Sequence, residues 1–138
     1  MKRRELVSKI MSTELVTVNH TNNLVDAEKL FRENSIRHIP VVSGEDIIGM
    51  LSLTDLLRVT FVDDYSSEDN IDTAVYSMLS IEQVMAKNLV SVKSTQTIKE
   101  VVEVLARNEF HALPVVDDHK LVGIVTTTDI LNYLLEQY

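Results

Sequence analysis

Pro40-Val41-Val42 recurs as Pro114-Val115-Val116, and Gly49-Met50-Leu51-Ser52-Leu53-Thr54-Asp55 recurs as Gly123-Ile124-Val125-Thr126-Thr127-Thr128-Asp129, both at an offset of 74 residues. The same offset carries Met11 onto Met85, Leu15-Val16 onto Leu89-Val90, Thr21 onto Thr95 and Leu57 onto Leu131, with no gap between these points. A single register held over that distance makes the chain two copies of one unit of roughly 55 residues.

Each copy reads the same way outward from these landmarks. Val16-Thr17-Val18 and Val90-Ser91-Val92 are short β-branched runs and predict a strand. Asn23 with Asp26, and Thr97 with Glu100, have the spacing of a helix-opening capping box. Leu24, Ala27 and Phe31, and in the second copy Ile98, Val101 and Leu105, fall on one helical face. Asn34 and Asn108 are placed to end those helices. Ile39 to Val42 with Ile47 to Leu53, and Leu113 to Val116 with Leu121 to Val125, predict two strand pairs turning at 43–46 and 117–120. Gly49 and Gly123 interrupt their strands, which marks a bulge or a close backbone approach. A further helix opens at Thr54-Asp55 and at Thr128-Asp129.

The expected fold class is therefore α/β (α+β), two tandem β-α-β-β-α repeats. A unit of this size with one apolar face is marginal alone, so the two repeats are expected to form one pseudo-twofold module. The first repeat is assigned to residues 5–62 and the second to 80–138. Between them, 63–79 reads as an acidic linker, with Ile71, Val75, Met78 and Leu79 suggesting a short helix. Ser80 with Gln83 is positioned to cap a turn leading into Val84-Met85.

Composition narrows the function classes. The 138 residues hold 13 Lys plus Arg against 21 Asp plus Glu, a formal charge of −8, with 5% aromatics. Such a chain lacks the basic face and the stacking rings that nucleic acid requires. The acidity is concentrated: Asp63, Asp64, Glu68, Asp69, Asp72 and Glu82 face no Lys or Arg between residues 59 and 86, so the repeated body is nearly neutral. The absence of cysteine excludes a disulfide framework, a thiolate nucleophile and Cys-based zinc sites. No apolar run reaches the roughly 20 residues of a membrane span, and the basic start of the chain is not followed by the apolar stretch of a signal peptide. The expectation is a soluble, cytoplasmic protein.

The Gly-to-Asp motifs carry the most specific chemistry. Read as strand ends, they put Ser52 and Thr54 on one side, and likewise Thr126 and Thr128. A carboxylate at Asp55 or Asp129 beside those hydroxyls, at the start of a helix, suits a ribose diol next to a phosphate. The competing reading is simple helix capping by Thr54 and Thr128; the repetition of the pattern at matched places favours the ligand. The four histidines, His20, His38, His111 and His119, have no metal-ligand spacing. Met11, Met50, Met78 and Met85 fall on apolar faces and read as core or dimer contacts. The acids at 63–72 lack the spacing and glycine of a calcium loop. Neither a Gly-x-Ser-x-Gly elbow nor a phosphate loop is present, which leaves a hydrolase without support.

In this order and twice over, Ile10-Met11 and Val84-Met85, Leu15-Val16-Thr17-Val18 and Leu89-Val90-Ser91-Val92, Arg37-His38-Ile39-Pro40-Val41-Val42 and His111-Ala112-Leu113-Pro114-Val115-Val116-Asp117, with the two Gly-to-Asp motifs, resemble a tandem of cystathionine β-synthase (CBS) domains, the pair called a Bateman module. The resemblance covers the chain from about Val7 to Leu135. It implies regulatory binding of AMP, ADP, ATP or S-adenosylmethionine in clefts between the repeats, pairing into homodimers, and no catalysis and no required cofactor. Carried over by position, it implies that Asp55 and Asp129 bind ribose, with Ser52, Thr54, Thr126 and Thr128 around ribose and phosphate. Thr17 and Ser91 would line the base pocket, and Arg37, His38 and His111 would meet phosphate. Ala112 after His111 departs from the pattern and removes one cation from the second repeat. With no effector domain in the chain, the expected output is a partner protein, and the 59–86 segment is the region placed to meet it. The alternative is a structural, dimerising module with degenerate sites.

Overall fold

The computed structural model describes residues 4–61, 78–108 and 110–138. The chain divides into two compact units: Val16–Leu89, and Met1–Leu15 together with Val90–Tyr138. The acidic run at 63–72 and most of the short helix expected around Ile71 and Val75 lie outside the described residues.

The first unit contains β1 (Val18–Asn19), α1 (Leu24–Asn34), β2 (His38–Ser43), β3 (Asp46–Ser52), α2 (Leu53–Phe61) and the short α3 (Ile81–Val84). This is the expected order of strand, helix, strand, strand and helix, followed by a turn from the next lead segment. The first strand is shorter than the run Val16-Thr17-Val18 predicts, and Thr17 lies outside it. β1 runs parallel to β2 through Val18 and Asn19 alone. Beyond it the Asn19 carboxamide accepts from the N–H and hydroxyl of Thr21, and Asn22 accepts from the Asn19 N–H at 2.7 Å. These local bonds turn the chain before a longer ladder forms.

α1 begins with the reciprocal capping box read from sequence: the Asn23 side chain accepts from the Asp26 N–H at 2.8 Å, and the Asp26 carboxylate accepts from the Asn23 N–H. Caps of this kind contribute about 1 kcal/mol each. The helix buries Leu24, Ala27 and Phe31 and ends at Asn34, where Ser35 takes a left-handed conformation with φ of 52°. Its buried face meets Ile39, Val41, Leu51 and Leu56 in one core cluster. Ile81 and Met85 belong to the same cluster, although in sequence they open the second repeat.

The second unit mirrors this plan. It contains α4 (Ile98–Asn108), β4 (Ala112–Asp117), β5 (Lys120–Thr126) and α5 (Thr127–Glu136), together with a 3-10 turn at Val7–Lys9. Its first strand is reduced to a parallel bridge between Val92 and Val115. Ile98, Val101 and Leu105 are buried on α4, opposite Leu113, Val115, Val125 and the fully buried Val7. Both strand pairs are antiparallel and both slip register by one residue, between Val41 and Val42 and between Val115 and Val116. The β4–β5 turn puts Asp118 and His119 at φ of 48° and 70°, the doubly positive pair that matches the twist of a two-residue hairpin.

The lead segment of each sequence repeat therefore packs into the unit built mainly from the other repeat. The Ser12 N–H donates to the Ile124 carbonyl at 2.8 Å and receives the return bond at 3.0 Å, and Met50 exchanges the same pair of bonds with Ala86. The two strand glycines make room for this approach. A Cβ on Gly49 would collide with the Met85 thioether, and one on Gly123 would stand 2.7 Å from the Met11 sulfur. Met11, Met50 and Met85 thus lie where an apolar reading puts them. Met78 is 81% exposed and so is not a core residue.

Candidate functional site

In each unit the strand-to-helix junction collects the residues singled out in the sequence. β3 ends at Ser52 and α2 starts immediately at Leu53. The Leu53 N–H donates to the Arg37 carbonyl at 2.8 Å, and the Asp55 N–H donates to the Ser52 hydroxyl at 3.0 Å. The second unit repeats both bonds, from Thr127 to His111 at 3.0 Å and from Asp129 to the Thr126 hydroxyl at 3.1 Å. The capping residues are thus Ser52 and Thr126, and the expected caps Thr54 and Thr128 stand instead within the first helical turn, exposed. The expected strand-face alternation of Ser52 with Thr54, and of Thr126 with Thr128, fails for the same reason: the backbone is already helical after Ser52 and Thr126, so the period of two no longer applies.

Capping satisfies the first and third helical N–H groups, and the negative carboxylate sits favourably in the positive first turn. Asp129 closes a full capping box by accepting from the Thr126 N–H through Oδ2 at 2.8 Å. Asp55 makes a different contact, with Arg58 one turn along α2: Nη1 lies 3.6 Å from its Oδ1. Asn132 stands in the place of Arg58 in the second repeat. Sequence reasoning missed Arg58, whose signal is the i,i+3 spacing from Asp55.

The strand register aligns the flanking basic residues. His38 is the cross-strand partner of Ser52, and Ala112 is that of Thr126. Arg37 and His111 are therefore structural equivalents, as are His38 and Ala112. Arg37, His38, Ser52, Thr54 and Asp55 gather at one junction, and His111, Thr126, Thr128 and Asp129 at the other. Thr17 and Ser91 are in the corresponding units, Thr17 directly before β1, which pairs with β2, and Ser91 exposed beside the Val92 bridge. Just beyond it, the Ser94 N–H and hydroxyl both donate to the Asp117 carboxylate, the former at 3.0 Å, which holds that carboxyl below its ordinary range. This ties the loop after the first-strand position to the end of β4.

Among the described residues, no group of three or more His, Asp or Glu could hold a metal ion, and no helix is long and apolar enough to cross a membrane.

The protein-family model described as CBS domain matches the chain twice, over residues 7–61 and 81–136. MJ1426 of Methanocaldococcus jannaschii is 30% identical, over 94% of this chain and 91% of that protein. Of two other curated relatives the chain spans less than half, 47% and 36%. In fold it is similar to a structure of CBSX2 in complex with AMP (TM-score 0.79, 22% identity, 96% of this chain and 98% of that one). It is likewise similar to the CBS domain pair of MJ0100 in complex with 5′-methylthioadenosine and S-adenosylmethionine (TM-score 0.80, 22% identity, 96% and 98%).

Proposed function

Because the chain belongs to the CBS domain family and carries two copies of the domain, we propose that it is a non-catalytic regulatory module that binds an adenine nucleotide or another adenosyl ligand. The observation that carries this reading is the duplicated junction. Each repeat sets an aspartate in the first helical turn beside a capping hydroxyl and an exposed threonine, at the end of a strand. A carboxylate there accepts from sugar hydroxyls, while the threonine hydroxyl and the second helical N–H, which the cap does not engage, meet phosphate or polar oxygens. The AMP, 5′-methylthioadenosine and S-adenosylmethionine held by proteins of similar fold support an adenosyl ligand.

Occupancy would act by favouring one arrangement of the chain over another, to the extent that the ligand's affinity differs between them. We place the output in an intracellular homodimer or an effector protein. Leu57 and Leu131 are 54% and 59% exposed at matched positions of α2 and α5, with Leu135 one turn further at 72%; each helix thus offers apolar surface that suits a second copy. A structural module with degenerate sites is the second reading, favoured by Ala112 and Asn132 where the first repeat has His38 and Arg58.

Thermal unfolding with millimolar AMP, ADP, ATP, S-adenosylmethionine and 5′-methylthioadenosine separates the two. At 100-fold saturation a ligand adds about 2.7 kcal/mol, so the sensor reading requires a raised Tm with at least one of them. An unchanged Tm across the panel would leave the structural module. Chromatography of each incubated ligand, with no product formed, is the expected result for a non-enzyme.

A further inference from the structure

We infer that the two junctions select adenosyl ligands of different charge: the first takes a 5′-phosphorylated ligand and the second takes one without phosphate. This rests on the adenosyl reading above and assigns a ligand class to each half of it. The first junction brings together Arg37, whose carbonyl receives the first N–H of α2 at 2.8 Å, and Arg58, whose guanidinium stands 3.6 Å from Asp55. His38 is paired with Ser52 in the strand register. In the second junction the same three places are His111, Asn132 and Ala112.

Counting arginines and aspartates alone, two arginines and one aspartate leave the first set at +1. Asp129 alone leaves the second at −1. One arginine before the start of α2 and a second that reaches back to its first-turn aspartate give this junction the charge that suits a phosphate group, which carries between one and two negative charges at neutral pH. The second set offers that group no guanidinium, only an exposed imidazole and the neutral Asn132 carboxamide. It opposes no such penalty to a neutral thioether, and its carboxylate attracts a sulfonium. The aspartates differ in the same sense. Asp129 is held by the Thr126 N–H and needs no cation to orient it, whereas Asp55 is paired with one that an incoming phosphate can share.

Titration calorimetry with AMP and with S-adenosylmethionine, singly and each in the presence of the other, tests the assignment. The expected result is one site per chain for each ligand and no competition between them. AMP affinity alone should fall with added salt. Arg37→Ala should weaken AMP by tenfold or more while S-adenosylmethionine changes less than twofold. The transplant His111→Arg/Ala112→His/Asn132→Arg should create a second AMP site. Arg37 is exposed, so the single variant is expected to keep the wild-type Tm. Full competition between the two ligands, or equal weakening of both by Arg37→Ala, overturns this inference and leaves the adenosyl reading standing. Binding of neither ligand overturns this inference, and the adenosyl reading falls with it only if the thermal panel also shows no raised Tm.

Discussion

The Tyr133 hydroxyl donates to the carboxylate of Glu5 across 128 positions of chain. Tyr133 is 3% exposed on the inner face of α5, and Glu5 also pairs with Lys9 at 2.5 Å. The bond fastens the start of the chain to its last helix, beside the backbone bonds from Val7 to Gln96 and from Ile98 to Glu5. Donation to Glu5, with burial, raises the phenol above its usual value near 10. A group raised in the folded state contributes stability that is full below its unfolded value and lost as pH rises through the folded one. Stability of the wild type should therefore fall above about pH 10, and Tyr133→Phe should flatten that fall. Urea midpoints measured from pH 8 to 11.5 check this; parallel curves for the two proteins would refute it.

The Asp117 carboxyl has the opposite sign. Donation by the Ser94 hydroxyl and then the Ser94 N–H lowers it, so its contribution is present above the ordinary carboxylate range and disappears as pH falls through its lowered value. Ser94→Ala should reduce stability at neutral pH and make acid unfolding between about pH 4 and 2 less steep, as followed by circular dichroism.

Thr126 and Thr128 should separate cleanly. Thr126→Ala removes the cap of α5 and is expected to cost about 1 kcal/mol. Thr128→Ala, at an exposed first-turn position, should stay within about 0.5 kcal/mol of wild type. Chemical denaturation of both variants decides whether the cap lies before the helix, as the hydrogen bonds have it, or inside it.

Asp55→Asn and Asp129→Asn test the sites without stripping the junction, since an asparagine oxygen at 129 can still accept from the Thr126 N–H and the Asp55 N–H keeps its bond to the Ser52 hydroxyl. Loss of a bond to a charged acceptor should weaken an adenosyl ligand at that site by tenfold or more, about 1.4 kcal/mol. Unchanged affinity in both variants would dismiss the aspartates as ligand contacts while sparing the fold.

Gly49→Ala and Gly123→Ala should each destabilise by about 1 to 3 kcal/mol, through a methyl group driven into Met85 or Met11. The cost of Gly49→Ala should shrink when Met85 is also cut to Ala, because the colliding atoms are gone. Additive costs in that double-mutant cycle would show that the thioether is not what the glycine accommodates.

Much of this was legible in the sequence because its causes are local. Leu24, Ala27 and Phe31, and Ile98, Val101 and Leu105, are buried as their helical spacing predicts. The boxes at Asn23, Ser80 and Thr97 close as read. The errors arose where a local rule was carried past its boundary: alternation was extended beyond Ser52 and Thr126, where the backbone turns helical. Arg58 escaped notice because an exposed i,i+3 pair looks like any surface ion pair. The destination of the Ile10-Met11 and Val84-Met85 segments was invisible, since their partners at Ile124 and Met50 are far away in the chain and no spacing rule connects them.

That exchange of lead segments alters what counts as a portable piece of the gene. A fragment cut at the repeat boundary, residues 1–62, would carry Val7 and Met11 without the pocket they fill and would lack Ile81 and Met85 from its own. Residues 16–89 hold a complete core in one uninterrupted stretch. Copies shuffled in evolution or in the laboratory would have to be joined out of step with the repeat to arrive with their cores intact.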